Sequence, residues 1–225
     1  MKTSLSILLT AATVFCFTAN LFSQSKKPFQ GTISYDITCS GKIEPAMKSQ
    51  LPTTEDVTVK DCKTKTEVTS AMASQAKITD GNAKKVISLI DYMGNKFAII
   101  SDSVKLKEEF SKVTISVNKS DETKTIAGYT CKKAIVSIKD EEGSVINDTI
   151  YYTEEIGCSN LNFSTQYKDI PGAVLEYSIY IDQIEASMKY TAREVKKSKV
   201  SDNIFLIPSD YKEVTEEELK KQLGM

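Results

Sequence analysis

Two neighbouring segments near the end of the chain alternate apolar and polar residues, and this alternation constrains the fold more than any other feature. From residue 173 to 181 every odd position is apolar, and from 184 to 192 every even position is apolar. Side chains alternate between the two faces of a strand, so the segments predict an antiparallel hairpin with one apolar and one polar face. A turn at Asp182-Gln183 would pair Ile181 with Ile184, Tyr177 with Met188 and Leu175 with Tyr190.

The rest of the chain shows the same strand rhythm. Residues 29–39 alternate cleanly, and further short strands are predicted at 56–62, 66–71, 76–79, 84–91, 96–100, 113–118, 123–127, 129–139 and 145–153. Turn residues such as Asp80-Gly81-Asn82 separate them. An interrupted phase within 129–139 predicts a bulge near Lys132-Lys133. We therefore predict a mainly β domain of about eleven strands, closing into a barrel or sandwich.

Two short helices are predicted beside the strands. Residues 103–112 change period, with apolar residues four apart among charged ones. The sequence TEEE at residues 215–218 is a capping box, and Val214 can pack onto Leu219 across the start of that helix. A helix this short is marginal alone, so we expect it to dock on an apolar surface.

The start of the chain resembles an export signal. Met1-Lys2 is followed by a mostly apolar run to Phe22 and then by small polar residues, which is typical of a secretory signal peptide. We expect a signal peptide over residues 1–23, cleaved near Ser23, and a single domain over 24–225. No later stretch is long and apolar enough to span a bilayer. The expected location is the periplasm or the extracellular space.

Composition argues against several classes of function. The formal net charge is −1, and one arginine stands among 29 basic residues, which disfavours nucleic-acid binding. The chain has no histidine, so Ser-His-Asp triads, Cys-His pairs and histidine-bound metals are excluded. No phosphate-binding loop or nucleophile elbow occurs. We therefore expect no catalytic residues, metal or cofactor; a serine–lysine or carboxylate pair is the weakest hypothesis.

Four cysteines follow the expected leader, and an even number in an exported protein favours disulfides. Three connectivities are possible for Cys39, Cys62, Cys131 and Cys158. We favour Cys39–Cys62 and Cys131–Cys158, because each pair joins neighbouring predicted strands. The alternative is that some of them are buried free thiols.

Several stretches resemble a known family. They are FQGTISY (29–35), ETKTIAGYTCKKA (122–134), IYYTEE (150–155), VLEY (174–177), TAREV (191–195) and FLIPSDYKE (205–213). They resemble a family of uncharacterised exported proteins of the Gram-negative envelope, which is similar to the periplasmic lipoprotein-localisation factors with the LolA-like fold. The resemblance implies an open antiparallel half-barrel whose concave apolar face is covered by helices and shields acyl chains. The characteristic arginine of those carriers has no counterpart, because Arg193 falls on the polar face of its strand.

Our leading hypothesis is therefore a non-enzymatic binding protein that holds a lipid or other apolar ligand in the half-barrel cup. The candidate ligand-lining residues are Ile33, Tyr35, Ile37, Leu175, Tyr177, Ile179, Met188 and Tyr190. The alternative is an envelope interaction module with a filled core, which docks a protein partner through a sheet face or an open edge. Core and cavity walls favour the same apolar residues, so the sequence leaves both open.

Overall fold

A computed structural model of the protein describes residues 28–69, 73–101, 103–181 and 185–223. Within these ranges the chain forms twelve strands and three short helices. The strands are β1 Gln30–Gly41, β2 Thr54–Lys60, β3 Lys63–Thr69, β4 Ala73–Asp80, β5 Lys85–Tyr92, β6 Asn95–Ser101, β7 Thr114–Ile126, β8 Tyr129–Lys139, β9 Val145–Thr153, β10 Ala173–Ile181, β11 Ala186–Lys197 and β12 Lys212–Glu213. The helices are α1 Pro45–Lys48, α2 Ser103–Ser111 and α3 Glu216–Leu223, with a 3-10 turn at Asp202–Phe205. The expected signal peptide lies outside the described residues.

All twelve described strands belong to one sheet, in the order β12-β6-β5-β4-β3-β2-β1-β11-β10-β9-β8-β7. Neighbours are antiparallel except β12, which runs parallel to β6. The pairing of β1 with β11 joins the first and last long strands in the middle of the sheet. Because β7 and β12 form two separate edges, the sheet is open, and the prediction of a mainly β, open antiparallel half-barrel is confirmed.

The terminal hairpin forms, but the register predicted for it is wrong by two residues. Tyr177 pairs with Tyr190, and Ile179, not Tyr177, pairs with Met188. A shift of two residues leaves every side chain on its predicted face, so alternation alone cannot distinguish the two registers. The observed register places the Tyr177 and Tyr190 rings in a parallel stack, with centroids 4.6 Å apart. The predicted turn at Asp182-Gln183 lies outside the described residues.

The sequence predicted two strands, at 113–118 and 123–127, but the structure has one edge strand there, β7. It is continuous from Thr114 to Ile126 and contains a register shift between Lys119 and Thr123. The shift lies opposite residues 132–134 of β8, so the predicted irregularity occurs in the neighbouring strand instead. The helix predicted at 103–112 is confirmed by α2.

A long irregular connection, rather than a helix, covers most of the inner face of the half-barrel. We define the inner face by Tyr35 of β1 and Tyr177 of β10, and the covering segment as residues 154–172. Ile156 of the covering segment packs on the β1, β10 and β11 side of the core, while Ile170 packs on β8 and β9. The resemblance implied helices over this face; the irregular connection covers it at β1, β10 and β11, and helix α3 covers it at β5 and β6.

Among the described helices, α3 packs on the inner face of the sheet, at β5 and β6. Helix α1 buries none of its residues. Helix α3 begins with the predicted capping box, in which Thr215 and Glu218 exchange backbone-to-side-chain hydrogen bonds of 2.8 and 3.1 Å. Its Leu219 packs with Val214 and with Phe97 of β6, which confirms the predicted docking. The outer face of β4–β6 is covered instead by residues 198–211.

The disulfide connectivity also differs from the prediction. Cys62, in the turn between β2 and β3, is bonded to Cys158 of the covering segment, and in the described residues Cys39 and Cys131 are free thiols. Antiparallel pairing of β1 with β2 aligns Gln30 with Lys60, so Cys39 lies at the far end of β1 from Cys62. The disulfide therefore fastens the covering segment to the sheet.

Candidate functional site

A cleft of about 290 Å³ separates the inner face of β1–β4 from the covering segment, and we refer to it as the cleft. Its apolar lining consists of Ile33, Val57, Val59, Leu161, Ala173, Val174 and Ile179. Its polar lining consists of Tyr35, Glu55, Thr64, Thr66, Lys77, Thr79, Asn162, Ser164, Thr165, Gln166, Tyr167 and Tyr177. An apolar floor therefore lies beside a rim rich in hydroxyl groups.

Strand alternation places these side chains together. Val57 pairs with Ile33 of β1 and with Thr66 of β3, and Thr66 pairs with Lys77 of β4. Residues paired across neighbouring strands share a face, so these four side chains form one row across the inner face. The row changes from aliphatic in β1 and β2 to polar in β3 and β4, which gives the cleft its two chemically different halves.

Four tyrosines form a cluster at the end of the cleft where Glu55 lies. The Tyr177 ring stacks on Tyr190 and meets Tyr35 and Tyr167 edge-on, with centroid distances of 6.0 and 5.6 Å. The Tyr35 hydroxyl donates a hydrogen bond of 2.8 Å to the carbonyl oxygen of Val174. Burial, with Glu55 nearby, raises the pKa of Tyr190 to about 12, so this phenol stays neutral. The cluster is a rigid aromatic wall.

Glu55 is a buried carboxyl group on the wall of the cleft. Its residue surface is 9% exposed, and the Tyr177 hydroxyl donates a hydrogen bond of 3.2 Å to its Oε1 atom. Burial raises the pKa of Glu55 from 4.5 to about 7, the Tyr177 hydrogen bond opposes this rise and Asp56 adds to it. Glu55 therefore changes its charge near neutral pH.

A second buried carboxyl group anchors the covering segment. The Tyr167 hydroxyl donates a hydrogen bond of 2.7 Å to Asp148 of β9, and the Ser178 amide donates to the same carboxylate at 3.1 and 3.2 Å. Burial raises the pKa of Asp148 against these two hydrogen bonds. Because Tyr167 also lines the cleft, this contact holds one wall of the cleft in place.

The structure divides the eight predicted ligand-lining residues into two groups. Ile33, Tyr35, Tyr177 and Ile179 line the cleft. The other four residues are buried in the core and do not line the cleft; they are Ile37, Leu175, Met188 and Tyr190.

Sequence reasoning missed Glu55 and the polar wall of the cleft. Glu55 precedes the strand predicted at 56–62, although it shares its parity with Val57 and Val59. That shared parity was the available signal, because odd residues of β2 all face inward.

A larger groove of about 700 Å³ runs along the surface between α2 and the covering segment. Lys84 lies over the ring of Phe163, and Lys168 lies over the ring of Phe110, at 4.8 and 5.5 Å from the ring centroids. These lysine–aromatic contacts occupy the groove walls.

The described residues hold no group of three or more histidine, cysteine, aspartate or glutamate side chains arranged for a metal ion. Among the helices of the same residues, none has the length and apolar character to cross a membrane.

No protein-family model matches the chain, and a search of curated proteins finds no relative. The family membership suggested by residues 122–134 and the other matching stretches stays a prediction.

Proposed function

We propose that this chain is a non-enzymatic, exported binding protein that holds a lipid or other apolar ligand in the cleft. The observation that carries the proposal is unfilled space with an aliphatic floor, enclosed between a rigid sheet and a covering segment. Binding sites for small molecules are concave and mostly apolar, with a few well-placed polar groups. The cleft is concave and has such an aliphatic floor, and its rim adds a larger set of polar groups, including Glu55, Lys77 and threonine hydroxyls.

The size of the cleft limits the ligand. Its volume of about 290 Å³ lies just below the range of about 300–1,000 Å³ common for ligand pockets. The inner face beyond it is filled, since Met188 is only 4% exposed beneath its neighbours. We therefore expect one small amphiphile, or part of a single chain, rather than the several acyl chains of a lipoprotein.

The two halves of the cleft suggest how such a ligand lies. An alkyl portion fits against Val57, which is only partly buried, and a polar group fits toward Glu55 on the same strand. Ile179 lies at the rim and is 37% exposed, so it offers apolar contact at the mouth.

The test is a titration of a fluorescent alkyl probe with two matched variants. Thr66→Phe places a ring in the cleft, whereas Thr58→Phe places the same ring on the outer face, because Thr58 pairs with Lys65 and Thr66 pairs with Val57. We expect saturable binding by the wild-type protein and by Thr58→Phe, and its loss in Thr66→Phe. Equal binding by both variants would place the probe elsewhere and contradict the proposal.

The alternative proposal, an interaction module, has less structural support. In the described sheet β7 has a hydrogen-bonded neighbour on one side only, which leaves an edge for a partner strand. However, the register shift between Lys119 and Thr123 interrupts that edge, and such irregularities hinder strand addition. Absence of any saturable binding of the alkyl probe would favour this alternative.

A further inference from the structure

Glu55 places a carboxyl group in the wall of the cleft, and a purely apolar ligand would not require one there. Its carboxyl group lies on the inner face of β2, two positions from Val57, where burial opposes its ionisation. A glutamine or methionine would fill the same volume without the cost of burying an acid. A glutamate at this position therefore lowers the stability of the folded protein relative to an uncharged residue of the same size.

No cation of the described residues is among the groups that govern the ionisation of Glu55. These groups are its own burial, the Tyr177 hydroxyl and Asp56, which lies next to it in the strand. Lys77 also lines the cleft, but it belongs to β4, and strand β3 lies between it and β2. An ionised Glu55 is therefore held by one phenol and lacks a positive partner in this part of the chain.

The neighbouring phenols leave the carboxyl group available to a ligand. Tyr35 donates its hydroxyl hydrogen to the Val174 carbonyl, and Tyr167 donates its own to Asp148. Among the described tyrosine contacts, only that of Tyr177 reaches Glu55. A carboxylate has about four acceptor sites, so donors from a ligand can still be accepted.

The surroundings of Glu55 also suit a positive charge. The rings of Tyr35 and Tyr177 line the cleft beside it, and the negative faces of aromatic rings attract ammonium groups. A carboxylate combined with aromatic rings is a favourable environment for a protonated amine, while a second carboxylate brought beside Glu55 would be repelled.

We propose that the ligand of the cleft carries a protonated amine next to an apolar chain, and that Glu55 is the counter-charge of this amine. The inference rests on the proposed function and specifies its ligand class. The amine donates to the oxygen atoms of Glu55, while the alkyl portion lies against the aliphatic floor. The ion pair forms in a site largely removed from water, where a charge-assisted hydrogen bond is stronger than at the surface.

The test is a competition experiment with three ligands of equal chain length. Dodecylamine, dodecanol and dodecanoic acid displace the fluorescent alkyl probe from the full chain at pH 8, each below its aggregation concentration. A hydrogen bond to a charged group corresponds to a preference of about tenfold to a hundredfold for the amine over the alcohol. We expect dodecanoic acid to bind more weakly than the amine by at least the same factor.

Glu55→Gln removes the charge and keeps the shape and the acceptor of the Tyr177 hydrogen bond, so it should abolish the preference for the amine. Glu67→Gln is the matched control, because Glu67 lies on the outer face, where it pairs with Asp56. We expect this control to retain the full preference. Loss of the preference in both variants would contradict the assignment to Glu55.

The wild-type protein supplies a second readout that needs no variant. As pH falls from 8 to 5.5, Glu55 takes up a proton that competes with the amine, so amine binding should weaken by up to about tenfold per pH unit below pH 7. Dodecanol binding should stay constant. Burial raises the pKa values of the phenols Tyr35, Tyr177 and Tyr190 beside Glu55, so they stay neutral over this range. The charged groups nearby are Asp56, next to Glu55 in the strand, and Lys77, which lines the cleft.

The outcomes separate the two proposals. If the alcohol, the acid and the amine bind equally well, the amine assignment is wrong while the binding function stands. If the fluorescent probe itself does not bind to the protein, both proposals fail.

Discussion

Replacing Glu55 with glutamine should stabilise the unliganded protein at alkaline pH and leave its stability unchanged in acid. The unfolded chain exposes Glu55, which then has its ordinary pKa of 4.5, whereas burial in the folded protein raises the pKa to about 7. A raised pKa means that the folded state holds the proton more tightly, so stability falls as pH rises between these two values. The difference between these two pKa values lowers the unfolding free energy of the wild-type protein by about 3 kcal/mol once the pH exceeds the folded pKa.

The assay is urea denaturation of the wild-type protein, Glu55→Gln and Glu67→Gln between pH 4 and pH 8.5. Subtracting the wild-type free energy of unfolding from that of Glu55→Gln removes the contributions of groups common to both proteins. The difference should be near zero at pH 4 and should rise to about 3 kcal/mol in favour of the variant at pH 8. The exposed control Glu67→Gln should differ from the wild-type protein by less than about 0.5 kcal/mol throughout.

A pH-independent difference would contradict this reasoning, because it would mean that Glu55 ionises equally easily in the folded and unfolded states. A variant less stable than the wild-type protein at pH 8 would show that a cation of the protein compensates the carboxylate. Either result would also remove the basis for assigning a ligand amine to this group.

Three further variants test contacts that hold the fold together. Replacing Cys62 and Cys158 together with serine opens a loop of sequence separation 96, and it should lower the unfolding free energy by up to about 4.7 kcal/mol in urea denaturation under oxidising conditions. Tyr167→Phe removes the donor to the buried carboxylate of Asp148 and should cost about 1–3 kcal/mol, measured in the same way; no change would mean that water replaces the hydroxyl. Thr215→Ala removes the cap of α3 and should cost about 1 kcal/mol, with faster amide hydrogen exchange confined to that helix; unchanged exchange would contradict the cap.

The sequence predicted the face of each terminal strand but not the register between them. Alternation assigns Tyr177 and Tyr190 to the inner face whichever residues they oppose, since a two-residue shift preserves parity. The stacking of these two rings decides the register, and it depends on pair geometry that periodicity does not contain.

The cleft was harder to predict because one of its walls has no periodicity. Cys158 lies in the covering segment, an irregular stretch between β9 and β10, so the pattern gave no indication that it would meet Cys62. Glu55 was missed for a different reason. A charged residue at the start of a strand is usually solvated, and the burial of Glu55 depends on packing distant in sequence, including the contact with Tyr177 of β10.

Native mass spectrometry tests the central claim most directly, namely that a ligand occupies the space between the sheet and the covering segment. The wild-type protein and Thr66→Phe are purified in parallel from the cells that naturally make the protein, and solvent extracts of both are analysed for lipid. We expect the wild-type protein to carry close to one equivalent of an amphiphile containing an amine, and Thr66→Phe to lack it. A wild-type protein whose mass is that of the bare chain, with no lipid in its extract, would contradict the account.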